Sequence, residues 1–198
     1  MVLAYHIVFC PYGFWMPNDP RGSWSDFVAA WNLYRIGGKA TKVNTRQSLA
    51  GKQHDQQLRK DIQKNLTHKR VLFSGVQARA VGHGFAEVVS RYDYPIHACS
   101  ILPDHIHIVI GRVTLNIRQV VRQLKQFATQ HLKSENLYPI ENPMLWGRGS
   151  WVVYLHDEEA VDRAIRYVED NPIKDGKKRQ QWKFVKPYPF SRRTSFDG

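Results

Sequence analysis

The chain has 198 residues, of which 42% are hydrophobic and 23% charged. This composition excludes a wholly disordered protein and predicts one domain over residues 1–198. Lys and Arg number 29 against 17 Asp and Glu, a formal net charge of +12, which favours a polyanionic partner, nucleic acid first among them. Two cysteines outside any zinc or disulfide motif indicate a reducing cytoplasm, and we expect no exported or membrane-spanning segment.

The first third of the chain predicts one strand followed by an insertion. Residues 3–10 are rich in aromatic and β-branched side chains, and the Pro, Gly and Asn-Asp pattern after them is typical of a loop. Residues 25–70 are polar and basic, and we interpret them as a basic insertion of uncertain structure. Only residues 54–66 within it suggest a helix.

The middle of the chain predicts a helix and then a strand pair. Apolar residues recur at helical spacing over residues 76–91, although Gly82 and Gly84 lower the helix propensity there. Residues 94–102 and 105–111 are both β-rich and are separated only by Pro103-Asp104. This spacing predicts two adjacent antiparallel strands joined by a tight turn.

Residues 116–133 give the clearest helical pattern, and Asn116 with Gln119 resembles a capping box at its start. Its predicted buried stripe consists of Ile117, Val120, Val121, Leu124, Phe127 and Ala128. The opposite stripe carries Arg118, Arg122 and Lys125, a row of cations that could follow a phosphate backbone. A solvated helix face explains the same pattern.

The last predicted elements are a strand over residues 150–155 and a helix capped by Asp157. Val161, Ala164, Ile165 and Val168 form the core stripe of this helix, and Asn171-Pro172 should end it. The order β, α, β, β, α, β with a following helix predicts an α+β fold. We expect a ferredoxin-like antiparallel sheet with helices packed on one face.

The segment HIHIVI offers a candidate metal site. In a strand, alternation puts His105 and His107 on one face and the three isoleucines on the other. Two imidazoles so placed can converge on one divalent cation. Without further context, such a pair is more often a pair of surface or hydrogen-bonded histidines than a metal site.

The last predicted helix supplies possible partners for the histidines. Tyr167 and Asn171 lie four residues apart and therefore on one helix face. Asn171 offers an oxygen ligand for a hard cation, and Tyr167 offers a nucleophilic hydroxyl if a metal and basic groups stabilise its anion. The alternative is a boundary aromatic residue followed by a helix-ending asparagine.

The pieces PDHIHIVI, LWGRGSW and AIRYVEDNPIKDG closely resemble the REP-associated tyrosine transposases. These are relatives of the small insertion-sequence transposases in the single-tyrosine HUH endonuclease superfamily. The opening YHIVFCPYGFWMPNDPRGSW is also similar to the start of these proteins. The resemblance covers the first strand and loop and then residues 71–176, which leaves the insertion and a basic tail over residues 177–198 outside it.

The resemblance implies a function and roles for single residues. His105 and His107 would be the HUH histidines, Asn171 the third ligand of a magnesium or manganese ion, and Tyr167 the nucleophile. Cleavage of single-stranded DNA, in the family often at hairpin-forming repeats, would leave a 5′-phosphotyrosine and a free 3′-hydroxyl. Lys174 would neutralise the phosphate or the leaving oxygen, unless it is a plain surface lysine.

The resemblance also guides expectations about assembly and location. We expect a monomer acting on DNA in the cytoplasm, in association with the nucleoid, although in some relatives the tyrosine helix serves the partner subunit. The tail could clamp DNA by charge and by stacking through Trp182, Phe184 and Tyr188, or be a flexible solubilising segment.

Two other functions fit parts of the sequence. A nucleic-acid-binding module that no longer cuts would bind without using Tyr167. A phosphoesterase with histidines as acid and base needs a second histidine motif, and neither His83 nor His97 stands in a comparable context.

Overall fold

The computed structural model describes residues 1–14, 31–39 and 55–189. Within these ranges, the elements are β1 Ala4–Phe9, α1 Trp31–Gly37, α2 Gln56–Lys64, α3 Gly75–Tyr92, β2 Ile96–Ile101, β3 Ile106–Gly111, α4 Ile117–Ser134, β4 Trp151–Leu155 and α5 Glu158–Lys174. The sequence predicted all of them except α1. Much of the predicted insertion, residues 25–30 and 40–54, lies outside the described residues, as does the end of the tail from residue 190.

The chain divides into two compact units. Among the described residues, one unit includes 1–9, 73–138 and 152–189, with α3, α4, α5, β1, β2, β3 and all but the first residue of β4. The other includes 10–14, 31–39, 55–72 and 139–151, with α1 and α2. No helix in the described ranges is long and apolar enough to cross a membrane.

The four strands form one sheet in the order β2-β3-β1-β4. β3 lies in the middle and pairs antiparallel with both neighbours, so that Val8 of β1 and Ser100 of β2 lie opposite His107. At the β4 edge, the Leu3 amide donates a hydrogen bond to the Leu155 carbonyl at 2.8 Å. The α+β class and the ferredoxin-like strand order are therefore confirmed.

The two faces of the sheet carry different layers. On one face, Phe9 of β1 contacts Phe85 of α3 at a ring-centroid distance of 6.2 Å, and α3 packs against α4. On the other face, Ala4 and Val109 join the core stripe of α5. The two crossover helices thus share one face as predicted, and α5 covers the opposite face, toward which His107 points.

The glycines of α3 permit close packing. A Cβ on Gly84 would lie 2.6 Å from the backbone of Ala128 in α4, and one on Gly82 would lie 2.2 Å from the Trp182 ring. Both distances are too short for any side chain. The helix begins despite its glycines with a full capping box, in which Ser74 and Gln77 exchange hydrogen bonds.

The predicted start of α4 at Asn116 is confirmed, whereas the predicted capping box there and the predicted end of α5 were wrong. The side chain of Asn116 caps α4 by accepting from the Arg118 amide at 2.9 Å, so it does not form the predicted capping box with Gln119. α5 does not end at Asn171-Pro172 but continues to Lys174, with Asp175 as C-cap. Pro172 is buried in the last turn, where its missing N–H removes only one backbone hydrogen bond.

The chain after α5 packs along the edge of β2. The Gln180 side chain accepts from the Ile101 amide and donates to the Ile101 carbonyl, both at 2.8 Å, and the Lys186 amide donates to the Ile96 carbonyl. Phe184 and Tyr188 are buried. The predicted stacking of these two rings on DNA was therefore wrong, because buried rings are not accessible to a base. Burial of their apolar surface instead contributes to the core.

Gly84→Ala should destabilise the protein by about 1–3 kcal/mol in urea unfolding, because its Cβ would meet backbone that cannot move cheaply. Gly75→Ala is the matched control, since it lies in the first turn of the same helix with open space around it. It should be neutral or slightly stabilising. Equal effects of the two variants would contradict this packing.

Candidate functional site

The site lies between β3 and α5, on the face of the sheet that α5 covers. His107 belongs to β3, and His105 directly precedes that strand. Tyr167 and Asn171 lie on successive turns of α5. His107 and Asn171 are only 6% and 5% exposed, so that their polar atoms need partners within the site.

The ring of His105 is held from both sides. Its Nδ1 lies 2.6 Å from Oδ1 of Asp104, and its Nε2 lies 3.4 Å from the side-chain amide nitrogen of Asn171. With Asp104 accepting the Nδ1 proton, the lone pair of a neutral His105 is on Nε2, which faces Asn171. Rotation of the Asn171 amide by a half turn brings its oxygen to the same place.

The ring of His107 is held by His6 of β1, a residue that the sequence analysis missed. The His107 Nδ1 and the His6 Nε2 lie 3.0 Å apart, and the two rings stack at a centroid distance of 5.2 Å. Burial lowers the pKa of His6 to about 4, which keeps it neutral. A neutral His6 can accept the Nδ1 proton of His107, leaving the His107 lone pair on Nε2.

Tyr167 completes the aromatic wall of the site. Its ring lies edge-on to His107 at a centroid distance of 5.4 Å and to His6 at 5.7 Å. Burial raises the pKa of the Tyr167 hydroxyl, so that it holds its proton at neutral pH. The Lys174 ammonium lies 4.1 Å from the ring centroid, where its charge favours the anionic form of the tyrosine.

The structure therefore brings together five of the eight residues that the sequence singled out: His105, His107, Asn171, Tyr167 and Lys174. The other three lie on α4, in the helix layer across the sheet from α5. Arg118 and Arg122 are exposed there, and the Lys125 ammonium lies 5.3 Å from the Phe9 ring. The predicted row of cations is thus not part of this site.

The donor set fits a divalent cation. Each histidine has its Nδ1 within hydrogen-bond distance of a side chain that can accept its proton, the arrangement that commonly orients metal-binding imidazoles. Asn171 can add an amide oxygen beside His105. Two imidazole nitrogens and one oxygen suit a first-row divalent ion such as manganese better than magnesium, which would need water oxygens to complete its shell.

Comparison with known proteins gives the family. Residues 42–171, more than half of the chain, match the family described as "Transposase IS200 like". The chain belongs to the IS200-like transposases. Both histidines, Tyr167 and Asn171 fall within the match, with Asn171 as its last residue, whereas His6 and Lys174 lie outside it.

The individual relatives of this IS200-like transposase share only low sequence identity with it. A protein of Haemophilus influenzae named as a REP-associated tyrosine transposase is 26% identical over 117 residues, 54% of this chain and 63% of that protein. The match therefore spans less than two thirds of that relative. It agrees with the resemblance found in the motifs.

Two solved structures are also similar. One is of the REP-associated tyrosine transposase bound to a REP hairpin (TM-score 0.48, 11% identity, 88% of this chain and 68% of that one). The other is a protein from Deinococcus radiodurans described as a transposase (TM-score 0.42, 14% identity, 90% of this chain and 93% of that one).

Proposed function

We propose that this transposase cuts and rejoins single-stranded DNA through Tyr167, with a magnesium or manganese ion held by His105, His107 and Asn171. The observation that carries the proposal is the position of the Tyr167 ring, in edge contact with His107 and beneath the Lys174 ammonium. A nucleophile, a cation site and a basic group thus lie on two packed elements of one chain.

Each of these residues has a distinct part in the reaction. The cation, when bound, supplies Lewis-acid polarisation of the scissile phosphate. Asp104 and His6 orient the two imidazoles by accepting their Nδ1 protons. Lys174 offsets negative charge on the tyrosine oxygen and on the phosphate as the bond forms.

Cleavage exchanges one phosphoester for another. The Tyr167 oxygen forms a bond to phosphorus and releases its proton to solvent, while the bond from phosphorus to the 3′-oxygen breaks. The leaving 3′-oxygen takes up a proton and becomes a free hydroxyl, and the 5′ end of the cut strand stays on the tyrosine. Rejoining is the reverse attack by a second 3′-hydroxyl, so that no ATP is consumed.

The raised pKa of Tyr167 bears on when this step occurs. A phenol that keeps its proton is a poor nucleophile, and positive charge or hydrogen-bond donors close to its oxygen favour the anion. Lys174 provides part of that charge. We infer that positive charge near the Tyr167 oxygen, from Lys174 and from a divalent cation when one is bound, favours its attack.

We further propose that the protein acts as a monomer. α5 is anchored to the sheet of its own chain through Val161, Ile165 and Val168, so Tyr167 meets the histidine pair of the same chain. An exchange of the tyrosine helix with a second subunit is then not needed to complete the site.

The proposed substrate is hairpin-containing single-stranded DNA in the nucleoid. The net charge of +12 favours association with any nucleic acid, and membership of a transposase family narrows this to DNA. Among the basic residues predicted to contact it, Lys174 lies at the site. Arg118, Arg122 and Lys125 would meet the strand only where it also passes over α4.

Tyr167→Phe should abolish the covalent adduct formed with labelled hairpin-bearing single-stranded DNA in the presence of Mn²⁺ or Mg²⁺, because phenylalanine has no attacking oxygen. Denaturing gels measure the adduct. Tyr154→Phe is the matched control, since Tyr154 is an exposed tyrosine outside the site. DNA binding without an adduct in the wild type would instead indicate a binding module.

His6→Phe should lower the affinity for Mn²⁺ about 10- to 100-fold, because phenylalanine keeps the ring but cannot accept the Nδ1 proton of His107. Calorimetric titration of the metal-free protein measures the affinity. His156→Gln, at an exposed position before α5, should leave it unchanged. An unaltered affinity in His6→Phe would contradict the orienting part given to His6.

A further inference from the structure

A second group of ligand side chains lies where α3 and α4 pack together, separate from the tyrosine site. His83 and Glu87 are one turn apart on α3, and His131 and Glu135 are one turn apart at the end of α4. The pairs interlock: His83 Nδ1 lies 2.9 Å from Glu135, and His131 Nε2 lies 2.8 Å from Glu87.

Three of these side chains can reach one ion. The ligand atoms of His83, His131 and Glu135 all lie within 4.8 Å of one another, and the His131 Nδ1 is already 3.7 Å from the Glu135 carboxylate. Ligands that share one zinc ion, each about 2.0–2.2 Å from it, lie at most about 4.4 Å apart, so the longest of these separations must shorten slightly. Small side-chain rotations on two well-packed helices would complete the convergence.

The fourth side chain supports the metal-binding form of His131. Glu87 lies against Nε2 of that ring, so the lone pair of a neutral His131 is on Nδ1, toward Glu135. A carboxylate that accepts the second ring proton is the usual outer partner of a zinc-bound histidine.

The place of Glu135 in α4 gives an independent reason for a cation here. Glu135 is the C-cap of the helix, where the negative end of the helix dipole disfavours an acidic side chain. Positive charge between Glu135 and the two histidines removes that penalty. A divalent ion held between these side chains would provide that positive charge.

We propose that a second divalent-cation site is formed by His83, His131 and Glu135. It prefers zinc and similar first-row ions over magnesium, and it links α3 to α4. Two imidazoles and one carboxylate form a donor set typical of zinc and leave a fourth position for water. The set contains too few oxygen ligands to favour magnesium. This site is independent of the proposed cutting activity and needs none of its residues.

The test uses the full chain carrying His105→Gln and His107→Gln, which removes the strand histidines as zinc ligands. After chelator treatment, Zn²⁺ should raise the unfolding temperature in a concentration-dependent way, because it binds only the folded form. Adding His83→Gln should weaken Zn²⁺ binding by more than about tenfold. Adding His156→Gln instead should leave Zn²⁺ binding unchanged, and Mg²⁺ should not raise the unfolding temperature.

Co²⁺ absorption provides a second readout in the otherwise wild-type chain, should the double variant fold poorly. The d–d absorption bands of a low-coordinate Co²⁺ should appear in the wild type and in His156→Gln. Their intensity should be lower in His83→Gln, because Co²⁺ no longer binds at this site. Identical Zn²⁺ stabilisation and identical Co²⁺ spectra with and without His83 would overturn the proposal. They would leave the cluster as an ion-pair network between the helices.

Discussion

The structure of the sheet-bearing unit depends on one constraint, namely that β3 is a central strand covered on both faces. Its isoleucines pack toward α3 and α4, and its other face carries Val109, over which α5 packs. A slip of one residue would turn the isoleucines toward α5 and the histidines into the apolar layer. The register that buries the core therefore also presents His107 to α5.

This constraint also determines the position of Tyr167, the proposed nucleophile. The position of α5 on the histidine face is fixed by the core residues Val161, Ile165 and Val168. Asn171 lies one turn after Tyr167, and the helix continues through Pro172 to bring Lys174 to the same side. The same pairing of β1 with β3 brings His6 to His107. The site is thus assembled by core packing, and its polar residues occupy positions next to that core.

Strand alternation and helical spacing predicted the fold class, the face of His107 and the pairing of Tyr167 with Asn171, because these features are local. His6 could not be predicted as a neighbour of His107, since that contact depends on the register of strands a hundred residues apart. The burial of Phe184 and Tyr188 was missed for a similar reason. Aromatic residues in a basic segment suit DNA or a core equally until their partners are known, here Phe85 of α3 for Phe184 and His97 of β2 for Tyr188.

The most direct test of the account is to identify the residue that carries DNA after cleavage. Trypsin cuts after Arg166 and Lys174, which releases YVEDNPIK, a peptide in which Tyr167 is the only hydroxyl-bearing side chain. Mass spectrometry of the nuclease-trimmed adduct should find the nucleotide remnant on this peptide. A remnant on any other peptide, or none despite strand cleavage, would contradict attack by Tyr167.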